Sequence, residues 1–141
     1  MSKLDTEGAA AVEFALIAPV LLMAVLIGAD LARAWMQRAE VEHGTRLAAR
    51  HVAALADPFG PDAVVAARLI AQSAGSSRAP LAGWERREAL FAVRLHEEND
   101  RRWLEVEAAI PYVPLLSAFS RFMPDGIDLK AKVEEPLLNG R

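Results

Sequence analysis

The chain of 141 residues contains no cysteine, which excludes a disulfide framework, a thiol nucleophile and thiolate zinc sites in one step. It also lacks an excess of basic charge: 16 Lys and Arg against 19 Asp and Glu leave a net charge of −3, so no overall positive field recruits nucleic acid. Aromatic residues are scarce at 6%, and no G-x-x-x-x-G-K-[ST] phosphate loop occurs among the glycines, including Gly60, Gly75 and Gly83. There is no internal repeat and, beyond an alanine bias, no low-complexity segment. What is abundant is apolar side chain, 53% of the chain, and it is unevenly spread. The longest uncharged run, Phe14 to Ala29, stands near one end, and most of the charge follows it.

Ala9 to Ala29 reads AAAVEFALIAPVLLMAVLIGA, 21 residues with one charge. As a helix at about 1.5 Å per residue it spans about 31 Å, close to the roughly 30 Å hydrocarbon thickness of a bilayer. A buried core helix is the bland alternative, but the remaining chain is small for wrapping such a rod on every side. A cleavable secretory signal is the other, with Ala32-Arg33-Ala34 as an A-x-A-like site. The residues MSKLDTEG carry one Lys and two acids instead of a basic cluster, and Glu13 falls where a signal's apolar core begins, so both features favour a retained transmembrane helix. Pro19 predicts a kink, tolerated in a membrane where neighbouring helices re-satisfy the freed carbonyl.

Glu13 demands an account. A carboxylate at the centre of a bilayer costs about 2.5 to 3.5 kcal/mol on insertion scales and less near the interface. Solvation at headgroup level is one account. The other starts from Gly8: cutting the Gly8-Ala9 bond frees an α-amino cation on Ala9, one turn before Glu13 and on the same helix face. An intramolecular or intersubunit pair then neutralises both groups, and the cost of leaving either one unpaired sets subunit register.

Gly8-Ala9-Ala10-Ala11-Val12-Glu13-Phe14 resembles the processing motif of type IV-like prepilins, with Gly before the scissile bond and Glu-Phe at the fifth and sixth mature positions. GAAAVEFALIAPVLLMAVLIGADLARAW, from Gly8 to Trp35, is similar to the opening of TadE-like minor pseudopilins of tight-adherence (Flp-type) pilus systems, including the Ala18-Pro19 step. Leu104-Glu105-Val106, then Ile110 to Leu116 and Ile127 to Glu134, resemble that family's closing strand, Pro-Leu loop and final strand.

The resemblance implies a non-enzymatic pilus subunit that needs no cofactor, metal or small-molecule substrate. Its partners would be a prepilin peptidase, other pseudopilins and the major pilin, the inner-membrane assembly platform and the lipid bilayer. It implies cleavage between Gly8 and Ala9, assembly through Glu13 and Phe14, and a single-pass subunit in the bacterial inner membrane with its C-terminal part extracytoplasmic, available for incorporation in an extracellular pilus serving surface attachment and biofilm formation. The leader departs from the usual basic type, having only Lys3. The positive-inside rule by itself points the other way, since Lys3 precedes the segment while Arg33, Arg38 and Arg46 follow it. The prepilin motif is the more specific signal. The two alternatives are a secreted hydrolase or binding protein released from a signal peptide, and an uncleaved single-pass accessory protein.

The expected organisation is α+β: a leader at 1–8, a transmembrane helix half at 9–29, its continuation at 30–56, and a small pilin-like domain at 57–141. No helix breaker intervenes between Ala29 and Asp57-Pro58, so one helix of about 48 residues is expected to run from Ala9 to Ala56, packing on its own domain through Leu31, Trp35, Val41, Ala48, Val52 and Leu55. Glu42 and Arg46 stand at i, i+4 on its polar side. Small residues at Ala11 and Ala15, and at Ala24 and Gly28, have the spacing of close helix contacts. Asp57-Pro58-Phe59-Gly60-Pro61 is turn chemistry, with Pro61 opening a second helix that ends near Gly75. From Ala89 the period changes to two, giving a hairpin through Phe91, Val93 and Leu95 and then Leu104, Val106 and Ala108, with a third strand at Ile127 to Val133 whose outward Lys130 and Lys132 blunt an edge.

Catalytic signals are thin. His43 and His51 are eight apart, about 80° around a helix, without the i, i+4 spacing of a zinc site. His96 is expected to face solvent. Glu105 and Glu107 share one strand face and are expected to be exposed, solubilising carboxylates, with no pocket to make them an acid/base pair. Trp84, Trp103 and Tyr112 suit core or rim packing.

Overall fold

A computed structural model describes residues 3–55, 57–73, 81–98, 101–114 and 126–137, with side chains from residue 8 onward. The chain divides into two units, Met1–Arg33 and Ala34–Arg141. The elements are helix α1 (Lys3–Ala53), helix α2 (Pro61–Ser73), a 3-10 turn (Ala82–Glu85) and strands β1 (Leu90–Glu98), β2 (Arg101–Pro111) and β3 (Asp128–Pro136). The class is α+β, as the change of period from 3.6 to 2 near Ala89 predicts.

In the first unit α1 passes through Pro19 without interruption. Pro19 has no N–H to offer Ala15, so one intrahelical bond is absent there. From Gly8 to Ala29 the side chains lie outside any protein core, and Phe14 is 69% exposed.

In the second unit α1 becomes one-sided. Ala34, Val41, Ala48 and Val52 recur at helical spacing and are buried with Leu104, Val106, Ala108 and Ile110 of β2 and with Leu129 and Ala131 of β3. Leu31 and Trp35 do not join this stripe as expected, and both are exposed. The reason is position along the helix: Leu31 precedes the unit that begins at Ala34 and Trp35 is its second residue, whereas Ala49 and Ala53, five full turns further on and in the same directions, are buried. The helix ends at Ala53, three residues before the expected Ala56. Ala54 and Leu55 donate to the carbonyls of His51 and Val52, tightening the end into i→i+3 turns just ahead of Asp57-Pro58.

Asp57 Oδ1 accepts from the Phe59 N–H at 3.3 Å, bending the chain toward α2. Pro61 occupies the first helical position and Asp62 places an acid in the first turn, both suited to a helix start. The described part of α2 closes at Ser73; Gly75, the expected end, lies outside the described residues. One face of α2 is alanine alone, Ala63, Ala67 and Ala71. That smooth face meets α1 at Gly44, where an added Cβ would collide with the Ala71 backbone carbonyl.

The sheet has the order β1-β2-β3, antiparallel throughout, with Val93 opposite Val106 and Val106 opposite Val133. The Tyr112 N–H donates to the Ile127 carbonyl at 2.7 Å and extends the β2–β3 ladder past Pro111. The inner face of β2 covers the helix, and β1 and β3 are the edges. The 3-10 turn, unforeseen in the sequence, buries Trp84 with its ring 6.3 Å from Phe91, and its Gly83 packs on the Pro111 carbonyl and Ile110. Arg50 of α1 reaches Glu135 of β3 at 3.3 Å, and Glu42 pairs with Arg46 at 2.7 Å. The expected Pro-Leu loop is described only as far as Pro114; Leu115, Leu116 and Pro124 lie outside the described residues.

Gly44→Ala removes a helix-weakening residue, worth about 1 kcal/mol, but its methyl faces backbone that cannot rotate aside. Overpacking of this kind costs about 1 to 3 kcal/mol, so the expected outcome is a lower denaturation midpoint for the folded domain. Gly28→Ala, whose Cβ meets nothing within 4 Å, leaves that midpoint unchanged. Chemical denaturation of the full chain in detergent, followed by tryptophan fluorescence, measures both.

Candidate functional site

The residues singled out near the N-terminus all lie on α1, whose helical geometry fixes their spacing. Gly8 is helical, and a Cβ there would meet nothing within 4 Å, so the Gly8-Ala9 bond is not packed against other described atoms. Glycine also weakens a helix by about 1 kcal/mol relative to alanine. Ala9 and Glu13 are one turn apart on the same side, with about 6 Å of rise between them. Glu13 is exposed and has no ion-pair partner among the described residues. Phe14 is exposed beside it, and Pro19 follows within the same unit. Ala11, Ala15, Ala24 and Gly28 are exposed as well, with the surface they offer unfilled by this chain.

Length and composition from Gly8 onward make α1 able to cross a membrane, and none of its most apolar stretch is buried by the other described residues. Residues 8–50, all within α1, match the TadE-like protein family. Over these residues the chain is similar to that family. That match covers the Gly8 to Phe14 motif and ends before the sheet, so the likeness at Leu104 to Glu134 stands on its own residues. Comparison with curated proteins and with solved structures found no match. The apolar helix that carries this match fits a membrane anchor by length and composition.

A second constellation was not legible in the sequence. On the outer face of the sheet, Glu105 sits in the central strand with its side chain only 6% exposed, against the expectation of a solubilising surface carboxylate. Long cationic neighbours cover it. Lys132 Nζ of β3 lies 2.9 Å from Glu105 Oε2, Arg94 Nη1 of β1 donates to Glu105 Oε1 at 3.3 Å and to Glu107 Oε2 at 3.0 Å, and Lys132 also reaches Glu134 at 3.3 Å. His96 Nε2 is 2.9 Å from Glu105 Oε2, and the ring stacks on Trp103 with centroids 5.6 Å apart. His96 is therefore half-covered on the outer face instead of standing free. The signal was present in the alternation of Arg94, Glu105, Glu107 and Lys132, but only the register puts Arg94 directly opposite Glu105. The hydrogen bond from Lys132 holds the Glu105 carboxyl below the ordinary carboxylate value against the opposing effect of desolvation, and the same bond raises Lys132 above the ordinary amine value.

His43 and His51 are both exposed on α1. Among the described residues no group of three or more His, Asp or Glu side chains gathers to hold a metal.

Because Glu105 titrates lower in the folded chain than when unfolded, its contribution to stability is present above about pH 4.3 and is lost as pH falls through the depressed value. Lys132 works in reverse: its contribution is full below about pH 10.4 and is lost as pH rises through the raised value. Glu105→Gln removes the carboxylate that Lys132 and Arg94 share, leaving Lys132 with Glu134 and Arg94 with Glu107. The expected result is a lower denaturation midpoint at neutral pH and a shallower loss of stability on acidification than in the native chain, measured by denaturant titration at several pH values.

Proposed function

We propose that this chain is a membrane-inserted minor pseudopilin that joins or initiates a tight-adherence pilus used for surface attachment. The observation that carries this reading is a TadE-like helix left uncovered by its own chain, with Glu13 as the one charge between Ala9 and Ala29. Lipid satisfies the apolar surface. Glu13 is then a carboxylate in a medium where a single charge costs on the order of 3 kcal/mol, and it needs a cation.

A peptidase cut between Gly8 and Ala9 supplies that cation as the new α-amino group, one turn away on the same face. Paired within one copy, the two groups make insertion tolerable; paired between copies, they align the helices at one register. Phe14, next to Glu13, adds an apolar contact at the same depth, and Pro19 leaves a weak point in the helix where packing can adjust its course. The removed segment is residues 1–8, the peptidase acts at the cytoplasmic side of the inner membrane, and the folded domain lies on the extracytoplasmic side. Other pseudopilins, the major pilin and the inner-membrane platform are the partners of such a subunit. Its work is assembly, and it requires no catalytic group.

Glu13→Ala is expected to leave membrane insertion and cleavage intact while abolishing incorporation into pili, with Glu13→Asp restoring part of it. Immunoblotting of sheared pili against the membrane fraction reads this, and normal piliation by Glu13→Ala removes the assembly role. Intact-mass measurement of membrane-extracted protein reads the processing: a mature start at Ala9 is expected, whereas a start near Asp30 or Trp35 marks a secreted product and a start at Met1 or Ser2 an uncleaved accessory protein.

A further inference from the structure

The folded domain leaves an aromatic side chain outside its core immediately after the apolar run. Trp35 is 65% exposed and its neighbour Met36 70%, although both belong to the unit that begins at Ala34. Around α1 they stand about 120° and 140° from Val41, and neither joins the buried cluster of Ala34, Val41, Ala48 and Val52. The Arg38 guanidinium lies 5.8 Å from the centre of the Trp35 ring, within the range of a cation–π contact.

Position along the helix decides the partner. Trp35 comes six residues after Ala29, the last residue of the uncharged run, which is about 9 Å of rise. The headgroup region adds about 5 to 7 Å to each side of a hydrocarbon core of roughly 30 Å, so the Trp35 backbone stands about 2 to 4 Å beyond it and the side chain, leaning toward the helix N-terminus, carries the indole back to its outer edge. An indole has an apolar body and one N–H donor, the combination that accumulates at this level of a bilayer. Arg38 adds a planar donor fork matched to phosphate oxygens. Met36 supplies a flexible apolar side chain beside them.

We propose that Trp35, Met36 and Arg38 form an interfacial anchor that binds the headgroups of anionic phospholipids and fixes the depth at which the folded domain begins. This rests on the membrane-anchor reading of α1 and adds to it a lipid class and the residues that meet it. The Trp35 indole sits at the outer edge of the headgroups, Met36 lies beside it on the headgroup surface, and Arg38, steadied by the indole ring, holds a phosphate.

The test uses the full chain reconstituted in vesicles of phosphatidylcholine alone and of phosphatidylcholine with equimolar phosphatidylglycerol, each prepared also with lipid brominated high or deep on the acyl chain. Subtracting the Trp35→Phe spectrum isolates the Trp35 emission from Trp84 and Trp103. Stronger quenching by the shallow bromine than by the deep one is expected. A rise of about fivefold in the lipid-contacting fraction of Trp35 with phosphatidylglycerol is also expected, and Arg38→Gln should abolish that rise. Flotation of the vesicles reports the anchor separately. If the chain floats with the vesicles but Trp35 is unquenched at either depth, the interfacial site is wrong and the membrane anchor stands; if the chain does not float, the anchor reading fails and this proposal fails with it. Equal quenching in both lipids overturns the anionic preference. Emission that is shielded from bromine and depends on the protein-to-lipid ratio assigns the surface to a second copy of the chain and overturns the lipid assignment.

Discussion

A helix that is apolar on every side is satisfied only by a medium or by partners that surround it, and α1 from Gly8 to Ala29 makes that demand on whatever it meets. The same helix meets the opposite condition from Ala34 onward, where one side faces a sheet and the remaining surface carries charged side chains together with the exposed Trp35 and Met36. The proposed functional residues follow from this division. Gly8, Ala9, Glu13 and Phe14 lie where the described residues offer no cover. The residues from Val41 to Val52 are occupied by their own domain.

Within the domain, size complementarity does much of the work. Alanine on α2 and Gly44 on α1 let two helices approach closely, while Leu104, Val106 and Ile110 fill the larger space between α1 and the sheet. Small side chains limit how much apolar area α2 buries, and close packing of backbone offsets part of that loss. The outer face of the sheet is organised by charge instead. Glu105 in the central strand has cations on both neighbouring strands, and they stabilise the carboxylate while screening it from water.

Much of this architecture was readable in the residues. The all-apolar run, the Pro61 helix start, the period-two alternation from Phe91 and the Gly8 to Phe14 motif each express a local rule, and local rules act before tertiary contacts exist. Two expectations turn on tertiary placement. Leu31 and Trp35 share helix directions with the buried Ala49 and Ala53, but they lie before and at the very start of the folded unit. Glu105 looked like a surface carboxylate because the strand was read alone, without the neighbours that antiparallel pairing places beside it.

Thus the sequence by itself determined the α+β class, the long helix with its apolar first half, the prepilin-like motif and the one carboxylate within the apolar segment. These are properties of composition and near-neighbour spacing, and they hold whatever the chain packs against. Only the tertiary structure decided that Gly44 is the crossing point of the helices, that Trp84 is held by a 3-10 turn, and that Glu105, Arg94, His96 and Lys132 form one network. Those contacts join residues from different elements, up to dozens of positions apart, and strand register and interhelical distance arise only when the whole domain packs.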